Sequence, residues 1–344
     1  MKMPASGTKK ILVLIGFSVI VILGAVLVRQ FMEWKIDDSM DVYYSWVEGQ
    51  RLLDGENPYS RIHAGDMRQN HKYATYFPLF YELSALSQAA GLDDLESWSL
   101  FWRIVISILH LEIAALIYFA FVGKGQALLG FFSAGFWILY RWPLNDLQVA
   151  NFESIPIFFL MASLLLFDER PRLSLVLYSV SLALKQIGIF LLPLYLIWVI
   201  KREKKNPFKA FAGSAALIAS VPVFSSLPFL FWDFSGFVKS ILFSVTRRAS
   251  FHVQAPTIDV LFQLDGFAAR LPMLVLFALF FILAWKLDLG KFTSALVVMA
   301  IFIGFNPVLF LQYFTWMSIF IPLVIYDFLS YNPKVLNVNQ QGDV

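Results

Sequence analysis

The chain has 344 residues, of which 59% are hydrophobic and 15% are charged. Soluble domains average about 45–50% apolar and about 25% charged residues, so this composition excludes an ordinary soluble protein. The formal net charge of +3 gives no support to a nucleic-acid surface, and the lack of cysteine excludes disulfides, thiolate zinc sites and a cysteine nucleophile.

Apolar segments recur along the chain at lengths that suit membrane crossings, for which a helix needs about 20 apolar residues. The first, residues 11–32, follows Lys2, Lys9 and Lys10. A signal peptide is the alternative, but the long apolar run with no small-residue cleavage site after it favours an uncleaved helix. The other segments lie at 98–121, 126–142, 152–167, 172–184, 186–200, 208–231, 267–287, 291–305 and 308–328. The sequence therefore predicts an all-α integral membrane protein with about ten transmembrane helices.

An even number of crossings places both termini on the cytoplasmic side of the inner or plasma membrane. The short loops that then face the cytoplasm are basic, as the positive-inside rule requires. Their cations are Lys124, Arg170, Arg172, the run 201–205, Lys286 and Lys291. We expect a single membrane domain, in which 11–231 contains seven crossings and the long outer loop 33–97. A second outer loop, 232–266, then precedes three crossings in 267–328 and a polar cytoplasmic tail at 329–344.

Two segments leave the topology open. Residues 76–92 are short and contain Pro78, Glu82 and several other polar side chains. We expect this segment to lie in the outer interface, since a crossing there would invert every later loop. Residues 172–200 are too long for one upright helix and short for two. We predict two short helices that meet near Lys185, where only protein or a water-filled cavity can satisfy the broken backbone.

The first outer loop combines a predicted flat helix with several acidic residues. Apolar positions at helical spacing predict an amphipathic helix over 41–53 that ends at Gly55. Asp37, Asp38 and Asp41 lie just before or at its start. They are either solvated acids that favour a helix N-terminus or a general base that takes a proton from a sugar or lipid hydroxyl.

Several short motifs resemble elements of the GT-C glycosyltransferases. They are Leu53-Asp54-Gly55-Glu56-Asn57-Pro58-Tyr59, Tyr76-Phe77-Pro78-Leu79, Asn151-Phe152-Glu153-Ser154, Leu184-Lys185-Gln186 with Pro193, and Gln312-Tyr313-Phe314-Thr315-Trp316. The set is most similar to the lipid-phosphate-sugar-dependent mannosyltransferases, namely glycosyltransferase family 87 and the glycosylphosphatidylinositol mannosyltransferase I family. The resemblance covers residues 11 to about 328. It implies a seven-crossing module with long outer loops after the first and seventh crossings.

The resemblance also implies roles for particular residues. Asp41 matches the second acid of an Asp-x-Asp motif whose first position is Ser39 here, so Asp41 is the preferred base, with Asp38 and Asp37 beside it. Ala150 stands where the family has glycine. The expected substrate-positioning residues are Asn151, Glu153, Gln312 and Tyr313. Helix-dipole support for Glu153, and core packing for the last two, are the alternatives.

Basic residues on the predicted outer side suit the phosphate that a lipid-phosphate-sugar donor leaves behind, because fixed cations stabilise charge that grows in the transition state. The expected ligands are Lys185, Arg247, Arg248 and His252. A charge near a helix break within the membrane is expensive and usually functional, which favours Lys185. The alternatives are a structural ion pair for Lys185, lipid headgroup contacts for the two arginines and a plain loop position for the histidine.

Together these features predict a transferase without metal or other cofactor. It would move mannose or another hexose or pentose from a polyprenyl-phosphate donor to a lipid or glycan acceptor at the outer face, with inversion. The expected partners are these substrates and membrane lipids, and no nucleic acid. A non-catalytic lipid-binding subunit is one alternative. A lipid or solute transporter is another, although the inverted repeats typical of transporters are not seen.

Overall fold

The computed structural model describes residues 7–32, 36, 41–65, 72–203, 205–246 and 257–331. Within these ranges the chain forms sixteen α-helices and three short 3-10 helices, and no strand. In chain order the α-helices are α1 (Gly7–Phe31), α2 (Asp41–Leu53), α3 (Leu79–Ala89), α4 (Leu95–Gly123), α5 (Ala127–Leu139), α6 (Arg141–Gln148), α7 (Ser154–Leu166), α8 (Pro171–Leu184), α9 (Leu192–Arg202), α10 (Pro207–Trp232), α11 (Phe234–Thr246), α12 (Ile258–Leu261), α13 (Leu271–Lys286), α14 (Lys291–Phe305), α15 (Tyr313–Ser318) and α16 (Leu323–Tyr331).

Five helical segments among the described residues are long and apolar enough to cross a membrane. They are Lys10–Phe31, Leu95–Gly123, Pro207–Trp232, Ala268–Lys286 and Tyr313–Tyr331. Each overlaps one of the predicted crossings. The other predicted crossings form shorter helices, and the last long segment is divided by a turn between α15 and α16. The all-α class is therefore confirmed, and the long apolar helices are those of a multi-pass integral membrane protein.

The outer surface of these helices is apolar. Ile11, Ile22, Phe224 and Phe231 are all exposed, as are many other large side chains of α1, α10 and α13. Exposed apolar area of this extent is unfavourable in water and is normal against lipid tails. The interior is packed with large aromatic side chains, of which Trp137, Trp316, Tyr178, Tyr195 and Phe320 are fully buried.

The first outer loop folds onto itself through two short helices. The amphipathic helix α2 has the predicted bounds, and Gly55 behind it has the positive φ (76°) that glycine tolerates. The predicted interfacial segment forms α3, which has 11 residues and is only about 16 Å long. Two of its polar residues contact α2: the Ser84 hydroxyl donates to the Ser45 carbonyl and the Gln88 amide to the Trp46 carbonyl, both at 2.9 Å. The α2–α3 contact therefore accounts for Ser84 and Gln88.

The break predicted near Lys185 is present. Helix α8 ends at Leu184, Lys185 is extended (φ −156°, ψ 123°), and a 3-10 turn over Gln186–Leu191 leads into α9. The Gln186 side chain donates to the Thr75 carbonyl at 2.7 Å, so the first outer loop covers the break. The extended backbone turns the Lys185 side chain out of the α8 register and into the protein.

Polar groups gather at the two opposite ends of the helix array. We call one the basic end, where Lys124, Lys201, Arg202 and Lys291 line a common cavity. We call the other the cluster end, where Asp41 lies in a hydrogen-bonded network built from α2, α6, α7, α15 and the break after α8. Helix α7 connects the two ends, since Glu153 precedes its first residue and Asp168 follows its last turn.

Candidate functional site

A buried ion pair forms the centre of the cluster end. Lys185 donates through its Nζ to Glu153 Oε1, and the Trp316 indole donates through Nε1 to Glu153 Oε2. Glu153 is fully buried and Lys185 nearly so. The Lys185 ammonium also lies 4.9 Å from the centre of the Tyr76 ring. A buried ion pair is tolerated only when further partners satisfy its remaining atoms, and here both carboxylate oxygens have one.

A helix-ending turn brings Asn151 and Glu153 to this site. After α6, Ala150 has a positive φ (52°), the Ala150 amide donates to the Leu147 carbonyl, and the Asn151 amide donates to the Asp146 carbonyl at 2.8 Å. This is the Schellman pattern, in which the residue of positive φ is usually glycine. Ala150 is the position at which the resemblance expects glycine, so the backbone conformation gives that expectation a physical reason.

A second set of hydrogen bonds links side chains of α6 and the turn after it to side chains at the start of α15. Asn151 Nδ2 donates to Asp146 Oδ1 at 3.0 Å and approaches Gln312 Oε1 at 3.4 Å. Gln312 also lies beside Asp41 and contributes to lowering its pKa. The Thr315 hydroxyl donates to the other Asp146 oxygen. These hydrogen bonds connect α6 and the turn after it with the start of α15, which is distant in the sequence, and Gln312 brings them close to Asp41 of α2.

Asp41 is the accessible carboxylate of the network. Its side chain is 44% exposed, and Oδ1 accepts a hydrogen bond from Lys72 Nζ at 2.8 Å. Partial burial would raise the pKa of Asp41, but the charge and hydrogen bond of Lys72, with a smaller contribution from Lys185, outweigh it and lower the pKa. Asp41 is therefore ionised at neutral pH and can accept a proton or a hydrogen bond from a bound molecule.

Asp146 lies in the opposite environment. It is buried, and desolvation together with the neighbouring Glu153 charge raises the pKa of Asp146 above its ordinary value, despite hydrogen bonds from Thr315 and Asn151. A network that moves two carboxyl pKa values in opposite directions is typical of sites that handle protons. The arrangement can thus hold a proton at Asp146 while Asp41 remains charged.

The structure brings together five of the predicted site residues, namely Asp41, Asn151, Glu153, Lys185 and Gln312. Tyr313 follows Gln312 in the chain and lies near Lys185. Its ring packs against the Phe302 ring, with the ring centres 5.0 Å apart. The remaining predicted site residues lie outside the described residues: Asp37, Asp38, Arg247, Arg248 and His252. Lys185 was expected to bind a donor phosphate, with a structural ion pair as the alternative. It forms such an ion pair with Glu153, and phosphate binding by Lys185 stays a prediction.

Sequence reasoning missed several members of the network. Tyr76, Thr315 and Trp316 occur in the motifs quoted above but were not singled out. Asp146 carries a usable signal, because a carboxylate next to apolar segments is costly and usually has a function. Lys72 carries none, since nothing in a polar loop shows which carboxylate a lysine will meet. Among the described residues, no group of three or more histidine, aspartate or glutamate side chains is arranged to hold a metal ion.

Comparison of the sequence with models of known protein families gave no match, and comparison with curated proteins gave none either. Any family assignment therefore depends on the short motifs and on their arrangement at the cluster end.

Proposed function

We propose that the protein is a membrane glycosyltransferase that uses a polyprenyl-phosphate-linked sugar and has Asp41 as its general base. The observation that carries the proposal is the accessible Asp41 carboxylate, which lies beside Gln312 and near the buried groups that include Asn151, Glu153 and Lys185. Three of the motifs that resemble the GT-C enzymes supply Glu153, Lys185 and Gln312, although they lie far apart in the sequence. Convergence of this kind is expected of a site and is not required for packing alone.

In the proposed reaction an acceptor hydroxyl attacks the anomeric carbon of the donor sugar. Asp41 takes the hydroxyl proton as the new carbon–oxygen bond forms, which requires the ionised carboxylate that Lys72 favours. The bond between the anomeric carbon and the phosphate oxygen breaks, and its electron pair leaves on the lipid phosphate. One displacement of this kind inverts the anomeric centre.

The departing phosphate needs nearby positive charge. Of the described cations, Lys72 lies next to Asp41 with its side chain 35% exposed, whereas Lys185 is already neutralised by Glu153. We therefore add Lys72 to the expected phosphate ligands Arg247, Arg248 and His252. The Lys185–Glu153 pair would then orient Asn151 and Gln312 around the sugar, together with the part of the first outer loop that covers the break.

The test is an activity assay on the full chain in lipid vesicles, with polyprenyl-phosphate donors that carry labelled hexoses or pentoses and a membrane extract as acceptor. The wild-type chain should transfer label and release polyprenyl phosphate. Asp41→Asn should lower the rate about 10²–10⁴-fold, the range for loss of a general base. Asp233→Asn is the matched control, because Asp233 also accepts hydrogen bonds, from Ser60 and His63, outside the network.

Three results would contradict this proposal. Full transfer by Asp41→Asn would exclude Asp41 as the base. Donor binding without cleavage by the wild-type chain would indicate the lipid-binding subunit. Passage of intact labelled donor across the vesicle membrane would indicate a transporter.

A further inference from the structure

A cavity of about 620 Å³ opens at the basic end, away from the cluster end. Its walls come from the C-terminal ends of α4, α7 and α9, the loop between α13 and α14, the start of α14 and the C-terminal half of α16. Binding sites for small ligands typically measure about 300–1,000 Å³. The cavity is therefore large enough for a headgroup-sized molecule, and the site described above makes no use of it.

Four cations line this cavity, one from the end of α4, two from α9 and one from the start of α14. They are Lys124, Lys201, Arg202 and Lys291. Lys201 Nζ donates to the Leu287 carbonyl at 2.7 Å, and Arg202 donates to the Phe167 carbonyl at 3.0 Å. Lys124 Nζ lies 5.1 Å from the centre of the Tyr326 ring. Carbonyl groups at helix ends thus hold Lys201 and Arg202 in place, and each of the cations keeps further N–H donors for a ligand.

Helix capping alone does not explain this set of charges. A cation near a helix C-terminus is favourable, which accounts for Lys201 and Arg202. Lys291, however, is the first residue of α14, where the helix dipole disfavours a positive charge. Its ammonium instead reaches across to the Leu164 carbonyl of α7 at 3.2 Å. The protein therefore places a cation in the cavity against the preference of the helix that carries it.

Acidic residues also line the cavity, but most of them lie at its rim. The Asp168 side chain is 72% exposed whereas its partner Lys291 is 19% exposed, and Asp288 is 88% exposed whereas Lys201 is 32% exposed. Glu169 is exposed as well. The exception is Asp327, which is buried and accepts hydrogen bonds from the Thr293 amide and hydroxyl. Arg202 is exposed too, so the less exposed part of the lining sets Lys124, Lys201 and Lys291 against Asp327.

The surroundings of the cavity indicate where its ligand would come from. Trp198 and Tyr331 line it, and the exposed Leu287, whose carbonyl accepts from Lys201, lies beside it. Tryptophan and tyrosine are enriched where membrane-spanning helices leave the bilayer. Basic pockets between such helices suit the phosphate of an anionic lipid. We propose that this cavity binds the headgroup phosphate of an anionic phospholipid, with Lys124, Lys201, Arg202 and Lys291 around the phosphate and the acyl chains along the helix surface.

The proposal is independent of the proposed function and is tested by lipid binding. Native mass spectrometry of the full chain, titrated with phosphatidylglycerol or phosphatidylcholine in detergent, measures retention of each lipid. The double variant Lys201→Gln/Lys291→Gln should bind phosphatidylglycerol about 30-fold more weakly, the expected loss for two cations near a lipid phosphate. Lys209→Gln/Lys286→Gln is the matched control, since it removes two exposed cations that do not line the cavity. It should bind as the wild-type chain does.

Equal binding by both double variants, or equal retention of the two lipids by the wild-type chain, would overturn the proposal. Displacement of the lipid by millimolar inorganic phosphate would show that the cavity binds free phosphate and not a phospholipid headgroup. Thermal unfolding of each variant shows whether it is folded. If the double variant Lys201→Gln/Lys291→Gln does not fold, Lys124→Gln is measured instead. Among the described residues Lys124 forms no ion pair, so its loss leaves no acid without a partner. A loss of about fivefold then supports the proposal and an unchanged affinity contradicts it.

Discussion

The two ends of the helix array hold their ion pairs in different ways. At the cluster end, Lys185 and Glu153 are both buried, and Trp316 satisfies the second carboxylate oxygen. At the basic end, Lys291 pairs with Asp168, whose carboxylate is mostly exposed to solvent. Both acids flank α7, about 20 Å apart by the helical rise. The two ends of α7 therefore differ: the ion pair of Glu153 is buried and determines local structure, whereas the ion pair of Asp168 is exposed and is screened by solvent.

The largest expected effect follows from breaking the buried pair. Glu153→Ala leaves the Lys185 ammonium and the Trp316 indole without their partner, and loss of one member of a buried pair costs about 3–5 kcal/mol. Unfolding in mixed micelles, followed by tryptophan fluorescence, should show this decrease in the free energy of unfolding.

The double variant Glu153→Leu/Lys185→Met sharpens this prediction. It removes both charges and should recover most of the lost stability, because apolar replacement of a whole buried pair is often neutral or favourable. Losses that simply add in the double variant would show that the two side chains do not act as a pair.

A smaller effect is expected from Glu48 on α2, the helix that carries Asp41. Glu48 is buried, and although Arg51 donates to it at 2.6 Å, desolvation raises the pKa of Glu48 to about 7. The folded state therefore binds a proton more readily than the unfolded state. The resulting stability is complete below pH 4.5 and is lost as the pH rises through 7.

Between pH 8 and pH 5 the wild-type chain should gain on the order of 2 kcal/mol from this group. Glu48→Gln should reduce that gain while leaving stability at pH 5 almost unchanged. An equal gain in the variant and the wild-type chain would assign the pH dependence to other groups.

The turn that delivers Asn151 and Glu153 offers a substitution that should stabilise the protein. Ala150 has a positive φ, which costs an L-amino acid about 1 kcal/mol and costs glycine nothing. Ala150→Gly should therefore raise the free energy of unfolding by up to about 1 kcal/mol. A marked loss of stability would mean that the turn has a different conformation.

The smallest effect is expected at the exposed pair. Asp168→Asn removes the partner of Lys291, and an exposed ion pair contributes about 0–1 kcal/mol. The same micelle unfolding assay measures it, and the variant is the matched control for Glu153→Ala. A loss as large as that of Glu153→Ala would remove the distinction between the two ends.

Local features of the fold could be predicted from the sequence. The spacing of Val42, Trp46 and Gly49 predicts α2, and Gly55 predicts its end. The length of the apolar run 172–200, too long for one upright helix and short for two, predicts the break near Lys185 that follows α8. Each of these features depends on residues that are neighbours in the chain.

The contacts that complete the site could not be predicted in the same way. Lys185 meets Glu153, which is 32 positions away, and Thr315 meets Asp146, which is 169 positions away. Which polar groups meet depends on how all the helices pack. The same holds for the basic-end cavity, because the sequence marks its cations only as signals of membrane orientation.

The most direct test of the proposed function is to find where the donor lipid binds. A polyprenyl phosphate with a photoreactive group near its phosphate would be crosslinked to the full chain in the presence of excess phosphatidylglycerol, which occupies the basic end. The account predicts that the labelled peptides contain Asp41 or Lys72 and the region of Gln312. Labelling confined to peptides with Lys124, Lys201 or Lys291, or spread evenly over the lipid-facing helices, would contradict it.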